Sequence, residues 1–166
     1  MNIIKSLLFF VSLIVLSRLI PHPPNFTPII AGAVFLPFML KDNRLVIALP
    51  LICLFFSDLI IGFHNTMFWT YGAFFLISLA VINYSKLRLR NLLALSVASP
   101  TFFYLFTNFG VWLSSITYAK SLSGLIECYI LALPFYGNSL CSTVLFSLTF
   151  FITRNLLLKR KTSLLI

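Results

Sequence analysis

Eight residues in three stretches of this apolar chain are candidates for binding a small solute. Imidazole, carboxylate, carboxamide and hydroxyl groups can orient a ligand by hydrogen bonds, and aromatic rings can stack on a planar one. The candidates are His22, Asn25, Asp58, His64, Tyr104, Thr107, Asn108 and Trp112. These side chains could together surround a small molecule.

Asp58 and the two histidines carry the strongest chemistry in this set. With His22 and His64, Asp58 could bind a cation, but the spacing matches no known metal motif, and we predict neither a metal site nor a cofactor. A charge at the centre of a membrane helix costs about 3 kcal/mol on insertion scales, which makes Asp58 a candidate site residue. The alternative is a structural role, in which backbone N–H groups near Gly62 or in the preceding proline-rich stretch bond to its carboxylate.

A polar stripe runs along one predicted helix. Thr101, Tyr104, Asn108, Trp112 and Ser115 are spaced by three or four residues, which places them on one helix face. Lipid offers no hydrogen-bond partners, so this face should lie toward the bundle interior or a wet cavity. Both interhelical hydrogen bonding and solute contact are compatible with the pattern.

Motifs for covalent or nucleotide chemistry are absent from the sequence. There is no Gly-x-Ser-x-Gly, no His-Glu-x-x-His and no P-loop. We predict that the protein is not an enzyme, and the remaining catalytic alternative is a membrane-embedded enzyme that uses Asp58 and a histidine. Without an ATP motif, active uptake would draw its energy from a partner protein or an ion gradient.

The composition predicts an integral membrane protein. The chain of 166 residues is 60% hydrophobic and 9% charged, with a mean hydropathy of +1.05. Soluble domains carry about 25% charged residues. The net charge of +9 is not taken as a nucleic-acid signal, because basic residues beside membrane segments set orientation instead.

The positions of the apolar runs predict one all-α domain over residues 1–166. We expect six membrane spans, at about residues 3–20, 26–40, 45–61, 67–84, 92–113 and 139–158. Four prolines in Pro21–Pro28, here called the proline loop, predict a rigid, extended crossing between the first two spans. The second span is short, about 23 Å as a helix against a core of about 30 Å.

A short apolar segment precedes the last span. Gly124–Leu133 is too short to cross a membrane, and Pro134 with Gly137-Asn138 should separate it from the last span. We therefore expect an outer interfacial or re-entrant segment here.

Lysine and arginine residues are distributed very unequally between the two sides of this arrangement. Ten of the twelve fall on one side, and only Arg18 and Lys120 fall on the other. By the positive-inside rule, both termini are predicted to be cytoplasmic in a multi-pass inner-membrane protein. The candidate site residues then lie on the outer half.

Four motifs together resemble an uncharacterised family of small bacterial membrane proteins. They are Arg18–Ile29, Ser57–His64, Thr107–Trp112, and Gly124–Tyr129 with Ala132–Phe135. That family in turn resembles the S components of energy-coupling factor transporters, which are vitamin-binding membrane subunits. The resemblance implies a six-helix bundle with cytoplasmic termini and a ligand pocket open to the outside.

The same resemblance bears on partners. In S components an Ala-x-x-x-Ala pattern on the first helix docks the shared transmembrane subunit, and the first span here contains no alanine. An energising module of this type is therefore a doubtful partner, beside the lipid bilayer and a small-molecule ligand; no nucleic-acid partner is expected.

From these observations we expect a substrate-binding membrane subunit or a solitary carrier for a small nutrient that is vitamin- or metal-like. The alternative is a non-transport membrane scaffold, such as a cell-shape protein of similar size and span count. A scaffold would present a binding face without a cavity.

Overall fold

The computed structural model describes residues 3–84 and 88–163, which form a bundle of α-helices without strands. The helices are α1 (Ile3–Leu19), α2 (Ile29–Phe35), α3 (Asn43–Ile61), α4 (Met67–Val81), α5 (Leu89–Ser114) and α6 (Leu122–Ser163). A 3₁₀ turn, Leu36–Phe38, follows α2. The all-α prediction is confirmed for the described residues.

Three helices in this part of the chain are long and apolar enough to cross a membrane, not six. They are α3, α5 and the stretch Leu122–Leu156 of α6. The other apolar helical stretches, Phe10–Leu19, Ile29–Phe38 and Met67–Val81, are shorter. This finding is consistent with a membrane protein, and the described residues do not contain six helices that are each long enough to span.

The second predicted span, residues 26–40, shows the reason most clearly. Only seven of these residues form α2, since Pro28 immediately precedes the helix and Pro37 lies in the 3₁₀ turn after it. All seven are buried. A helix about 11 Å long that is enclosed by other helices need not reach either surface of the bundle.

Pro134 does not interrupt α6, so the prediction of a separate interfacial or re-entrant segment at residues 124–133 is wrong. The helix continues through Pro134 and Gly137 for 42 residues. Contacts with α5 brace it on both sides of the proline: the Tyr129 hydroxyl donates to the Leu105 carbonyl (2.7 Å), and the Tyr136 and Thr101 hydroxyls lie 2.9 Å apart. A proline is tolerated in such a helix when neighbouring groups compensate for the lost backbone bond.

The core is built around α2, which packs against α3, α4, α5 and α6. The small residues Ala31, Gly32 and Ala33 are buried and allow close approach. At Gly32, an added Cβ would lie 2.7 Å from Ile14 Cδ1 of α1. The missing side chain at Gly32 therefore leaves room for the side chain of Ile14 against α2.

One end of the bundle, here called the proline-loop end, collects the connections that will form the site. It contains the proline loop, residues 62–66 between α3 and α4, and residues 115–121 between α5 and α6. Gly62, with φ at +108°, ends α3 in a conformation that favours glycine. Lys120 donates to the free carbonyls of Trp112 and Ser115 at the end of α5 and so closes that helix.

Candidate functional site

A cavity of about 450 Å³ opens at the proline-loop end. Five of the eight candidate residues line it: His22, Asn25, His64, Thr107 and Asn108. They come from the proline loop, the α3–α4 connection and α5, segments far apart in the sequence. The volume lies within the range of about 300–1,000 Å³ that small-molecule pockets occupy.

The wall of the cavity combines polar groups with an apolar surface. Its apolar part includes Phe74 of α4, Phe103 of α5 and Phe135 of α6. Thr66 and Thr70 at the start of α4 and Ser139 of α6 add hydroxyl groups. An apolar lining with a few convergent polar groups is the usual make-up of a small-molecule site.

The proline loop forms one wall of this cavity. Hydrogen bonds hold it in place, but it contains a turn and is not extended over its whole length, as the sequence predicted it to be. It turns at residues 23–26, where the Phe26 N–H donates to the Pro23 carbonyl (2.9 Å) and Asn25 adopts a positive φ of 62°. Asparagine tolerates this left-handed conformation better than most residues. The Asn138 side chain of α6 donates to the Pro24 carbonyl (3.0 Å), which ties the loop to the longest helix.

The other three candidates do not line the cavity, and two of them form interhelical or loop contacts. The Tyr104 hydroxyl donates to the Tyr129 carbonyl of α6 (2.7 Å), and the Trp112 indole N–H donates to the Ala119 carbonyl (2.9 Å). With the Thr101–Tyr136 contact, this part of the polar stripe forms interhelical hydrogen bonds. Asn108 and Thr107, by contrast, line the cavity.

Asp58 is the third, and it is held in a buried ion pair behind the cavity wall. Its side chain is only 1% exposed, and its Oδ1 lies 2.9 Å from Nη2 of Arg18 in α1. The Tyr71 hydroxyl of α4 donates to Oδ2 (3.0 Å). Asp58 thus joins α1, α3 and α4, and its partners are side chains, not the backbone N–H groups considered from the sequence.

A cation site made of His22, Asp58 and His64 is not formed. Asp58 is enclosed by Arg18 and Tyr71, whereas the two histidines face the cavity. Among the described residues, no group of three or more His, Cys, Asp or Glu side chains is arranged to hold a metal ion.

The hydrogen bonds made by the lining residues define what they offer a solute. The hydroxyls of Thr70 and Thr107 donate to the carbonyls of the residues four positions earlier, at 3.3 Å and 2.7 Å. Their oxygen lone pairs therefore stay available as acceptors. His64 Nδ1 lies 2.8 Å from the Thr66 hydroxyl, and this contact orients the ring. The other ring nitrogen, Nε2, does not take part in it.

A family model described as a family of unknown function, DUF6580, matches residues 2–165. The chain belongs to the DUF6580 family. No curated protein and no solved structure matches it. The expectation of an uncharacterised family, drawn from four motifs spread along the sequence, agrees with this match over nearly the whole chain.

Arg18 is the important site residue that sequence reasoning missed in this DUF6580 protein. It lines the cavity, its side chain is 17% exposed, and it pairs with Asp58. From the sequence it was named only as one of two basic residues on the outer side and as the first residue of the motif Arg18–Ile29, without a binding role. The available signal was its position: it is the basic residue in the last turn of α1, directly before the proline loop, in a chain with one acid inside a predicted span.

Proposed function

We propose that this DUF6580 protein captures a small nutrient at the membrane surface, as the substrate-binding subunit of a transporter or as a solitary carrier. The observation that carries the proposal is the 450 Å³ cavity, because its polar lining residues come from the proline loop, α4, α5 and α6 and converge on one space. Side chains that only packed a scaffold together would leave no such space between them.

The proposed orientation places the cavity on the outer side of a bacterial inner membrane. In this arrangement the chain also crosses the membrane through α1, through α4 and through the buried segment that contains α2 and the 3₁₀ turn, and both termini are cytoplasmic. The ten-to-two distribution of lysine and arginine supports this orientation. The lipid bilayer is then the environment of the exposed apolar faces of α3 and α5.

The proposed role resembles that of an S component, because the protein would capture a solute at the membrane surface. It differs from an S component in its source of energy. The absence of alanine from α1 argues against docking of the standard shared subunit through this helix. A solitary carrier that uses an ion gradient fits the sequence better. A scaffold role remains the competing proposal.

The experiment is native mass spectrometry of the gently solubilised protein, with released small molecules identified. We expect a defined molecule of a few hundred daltons on the wild type. Asn108→Ala and Thr107→Val should lower its occupancy, because both side chains line the cavity. Thr101→Val, one or two helical turns away on the same helix, is the matched control and should keep its occupancy.

The competing roles give different results in the same experiment. A protein that stays empty after exposure to a panel of vitamins and metal ions, and that co-purifies with a stable protein complex, would support the scaffold. A lipid or peptide product that disappears in Asp58→Asn would support the enzyme.

A further inference from the structure

We propose that the solute of this cavity is a small organic anion with a single carboxylate, and that Arg18 binds this carboxylate. The inference rests on the proposed function, since it names the class of molecule that the cavity takes. It is carried by the geometry of Arg18, by the charges around it and by the acceptors on the rest of the wall.

The guanidinium of Arg18 has donors left over for a ligand. Nη1 contacts the Leu54 carbonyl (3.4 Å) and the Ser57 hydroxyl, and Nη2 contacts Asp58. All three partners lie on α3. A guanidinium carries five N–H groups, so two remain without a partner among the described residues. Because 17% of the side chain is exposed and Arg18 lines the cavity, a solute can reach it.

The ionisable side chains that line the cavity are all of basic residue types. Arg18, His22 and His64 line it, whereas none of its described lining residues is an aspartate or glutamate. The nearest acid, Asp58, is buried behind Arg18. A cationic solute would therefore lose its hydration without meeting a counter-charge, while a carboxylate would meet charge-assisted donors.

The same ion pair limits the solute to one negative charge. Asp58 already balances part of the charge on Arg18, and Arg18 is the only lysine or arginine among the described lining residues. A doubly charged phosphate would thus bring more negative charge to this single guanidinium than a carboxylate does. A carboxylate can instead share the planar guanidinium with Asp58, each using a different edge.

The remaining wall specifies the other end of the molecule. Thr70 and Thr107 present acceptor lone pairs, because their own protons are used in helix hydrogen bonds. Phe103 and Phe135 offer aromatic surface. The best-fitting solute is therefore a carboxylate attached to a ring-sized apolar body that also carries an N–H or O–H donor.

Asp58 is the ion-pair partner of Arg18 in this scheme. With Tyr71 it holds the guanidinium against α3, and it competes with the solute for the same charge. Replacement by the neutral isostere in Asp58→Asn should keep anion binding or strengthen it. A purely structural Asp58 would give weaker binding, in step with lost stability.

The test uses three probes with the same indole ring and different charge: indole-3-acetate, indole-3-acetamide and tryptamine, each at millimolar concentration. Thermal unfolding of the purified full chain in detergent reports binding. We expect indole-3-acetate to raise the unfolding temperature most, and its apparent affinity to fall roughly 10- to 100-fold in the double variant Arg18→Gln/Asp58→Asn, as the loss of charge-assisted hydrogen bonds requires.

The double variant removes both charges together, so no buried charge is left unpaired and folding should survive. Arg88→Gln removes one arginine outside the cavity and is the matched control, with unchanged binding. Stabilisation by the amide or by tryptamine that equals that of the acetate would overturn the inference, as would unchanged binding in the double variant or no response to any probe.

The molecule that co-purifies with the wild type separates this inference from the proposed function. An anion at neutral pH supports both. A neutral or cationic molecule in the cavity overturns the assignment to Arg18 and leaves the binding function standing. An empty protein removes the binding function itself.

Discussion

Adding one methyl group at Gly110 should separate α4 from α5 at the end where the cavity opens. An ideal Cβ at Gly110 would lie 2.0 Å from Cγ, 2.2 Å from Cδ2 and 2.4 Å from Cδ1 of Trp69. Carbon atoms prefer separations of about 3.5–4.0 Å, so the indole must move by more than 1 Å, on the order of the shortfall. Gly110→Ala is therefore a strong overpacking change.

Trp69 cannot move away from Gly110 without disturbing its neighbours, because three aromatic rings lie beside it. Its ring centroid lies 5.2 Å from that of Phe106, 5.8 Å from that of Phe109 and 5.6 Å from that of Phe68. Overpacking a well-filled site costs about 1–3 kcal/mol, and a shift this large belongs near the upper value. The better helix propensity of alanine returns about 1 kcal/mol. We expect a net loss of about 2 kcal/mol.

Gly137 in α6 provides the same chemical change in open space. No atom lies within 4 Å of its ideal Cβ, and the helix continues through it. Gly137→Ala should therefore stabilise the protein, by about 0.5–1 kcal/mol from helix propensity alone. The same substitution should therefore change the stability of the protein in opposite directions at these two helical glycines, as a specific consequence of this packing.

The assay is thermal unfolding of both variants in the same detergent. At roughly 2–4 °C per kcal/mol for a chain of this size, Gly110→Ala should lower the midpoint by about 4–8 °C. Gly137→Ala should raise it by about 1–4 °C by the same conversion. Equal shifts in the two variants, or an unchanged midpoint in Gly110→Ala, would refute the close approach of Trp69 to α5.

Three further substitutions test the contacts around the site. Tyr71→Phe removes a hydrogen bond to the carboxylate of Asp58 and should cost about 1.5–3 kcal/mol in unfolding free energy, while a loss near zero would show that this contact does not form. Asn138→Ala frees the Pro24 carbonyl, so hydrogen exchange should rise at Asn25–Thr27; unchanged exchange would mean that α6 does not hold the loop. Pro134→Ala should leave the far-ultraviolet helix signal nearly unchanged, because α6 is already continuous, whereas a clear gain would restore the broken-helix prediction.

The long helices could be predicted from the sequence because local signals mark their ends. Residues 45–61 were expected where α3 runs from Asn43 to Ile61, and residues 92–113 where α5 runs from Leu89 to Ser114. Asp42 accepts a hydrogen bond from the Arg44 N–H (2.8 Å) at the start of α3, and Gly62 ends it. Charged turns, a capping aspartate and a glycine are all visible in the sequence.

The predictions for α2 and for α6 were wrong for the same physical reason. Proline disfavours a helix locally, and whether the helix continues depends on what lies beside it. Pro28 and Pro37 confine α2 to seven buried residues, whereas α6 passes Pro134 with tyrosines on α5 and α6 bonded across it. Those partners are more than twenty residues away, so no local pattern reveals them.

In the candidate site, too, some features could be predicted from the sequence and others could not. Charge asymmetry was enough to place His22, His64 and Asn108 at one end of the molecule, and the structure brings them to one cavity. The pairing of Asp58 with Arg18 joins residues forty positions apart and depends on the packing of α1 against α3. The distribution of charged residues along the sequence can indicate which residues share one end of the molecule. It cannot give the distance between two side chains.

The most direct test of the central claim is a crystal structure of the protein grown from a lipid phase, with the molecule that co-purifies with it still bound. We predict electron density for a small molecule in the cavity, within hydrogen-bond distance of Asn108 or Thr107 and enclosed by the proline loop. A bundle in which side chains fill this space, with the small molecule elsewhere or absent, would contradict the account.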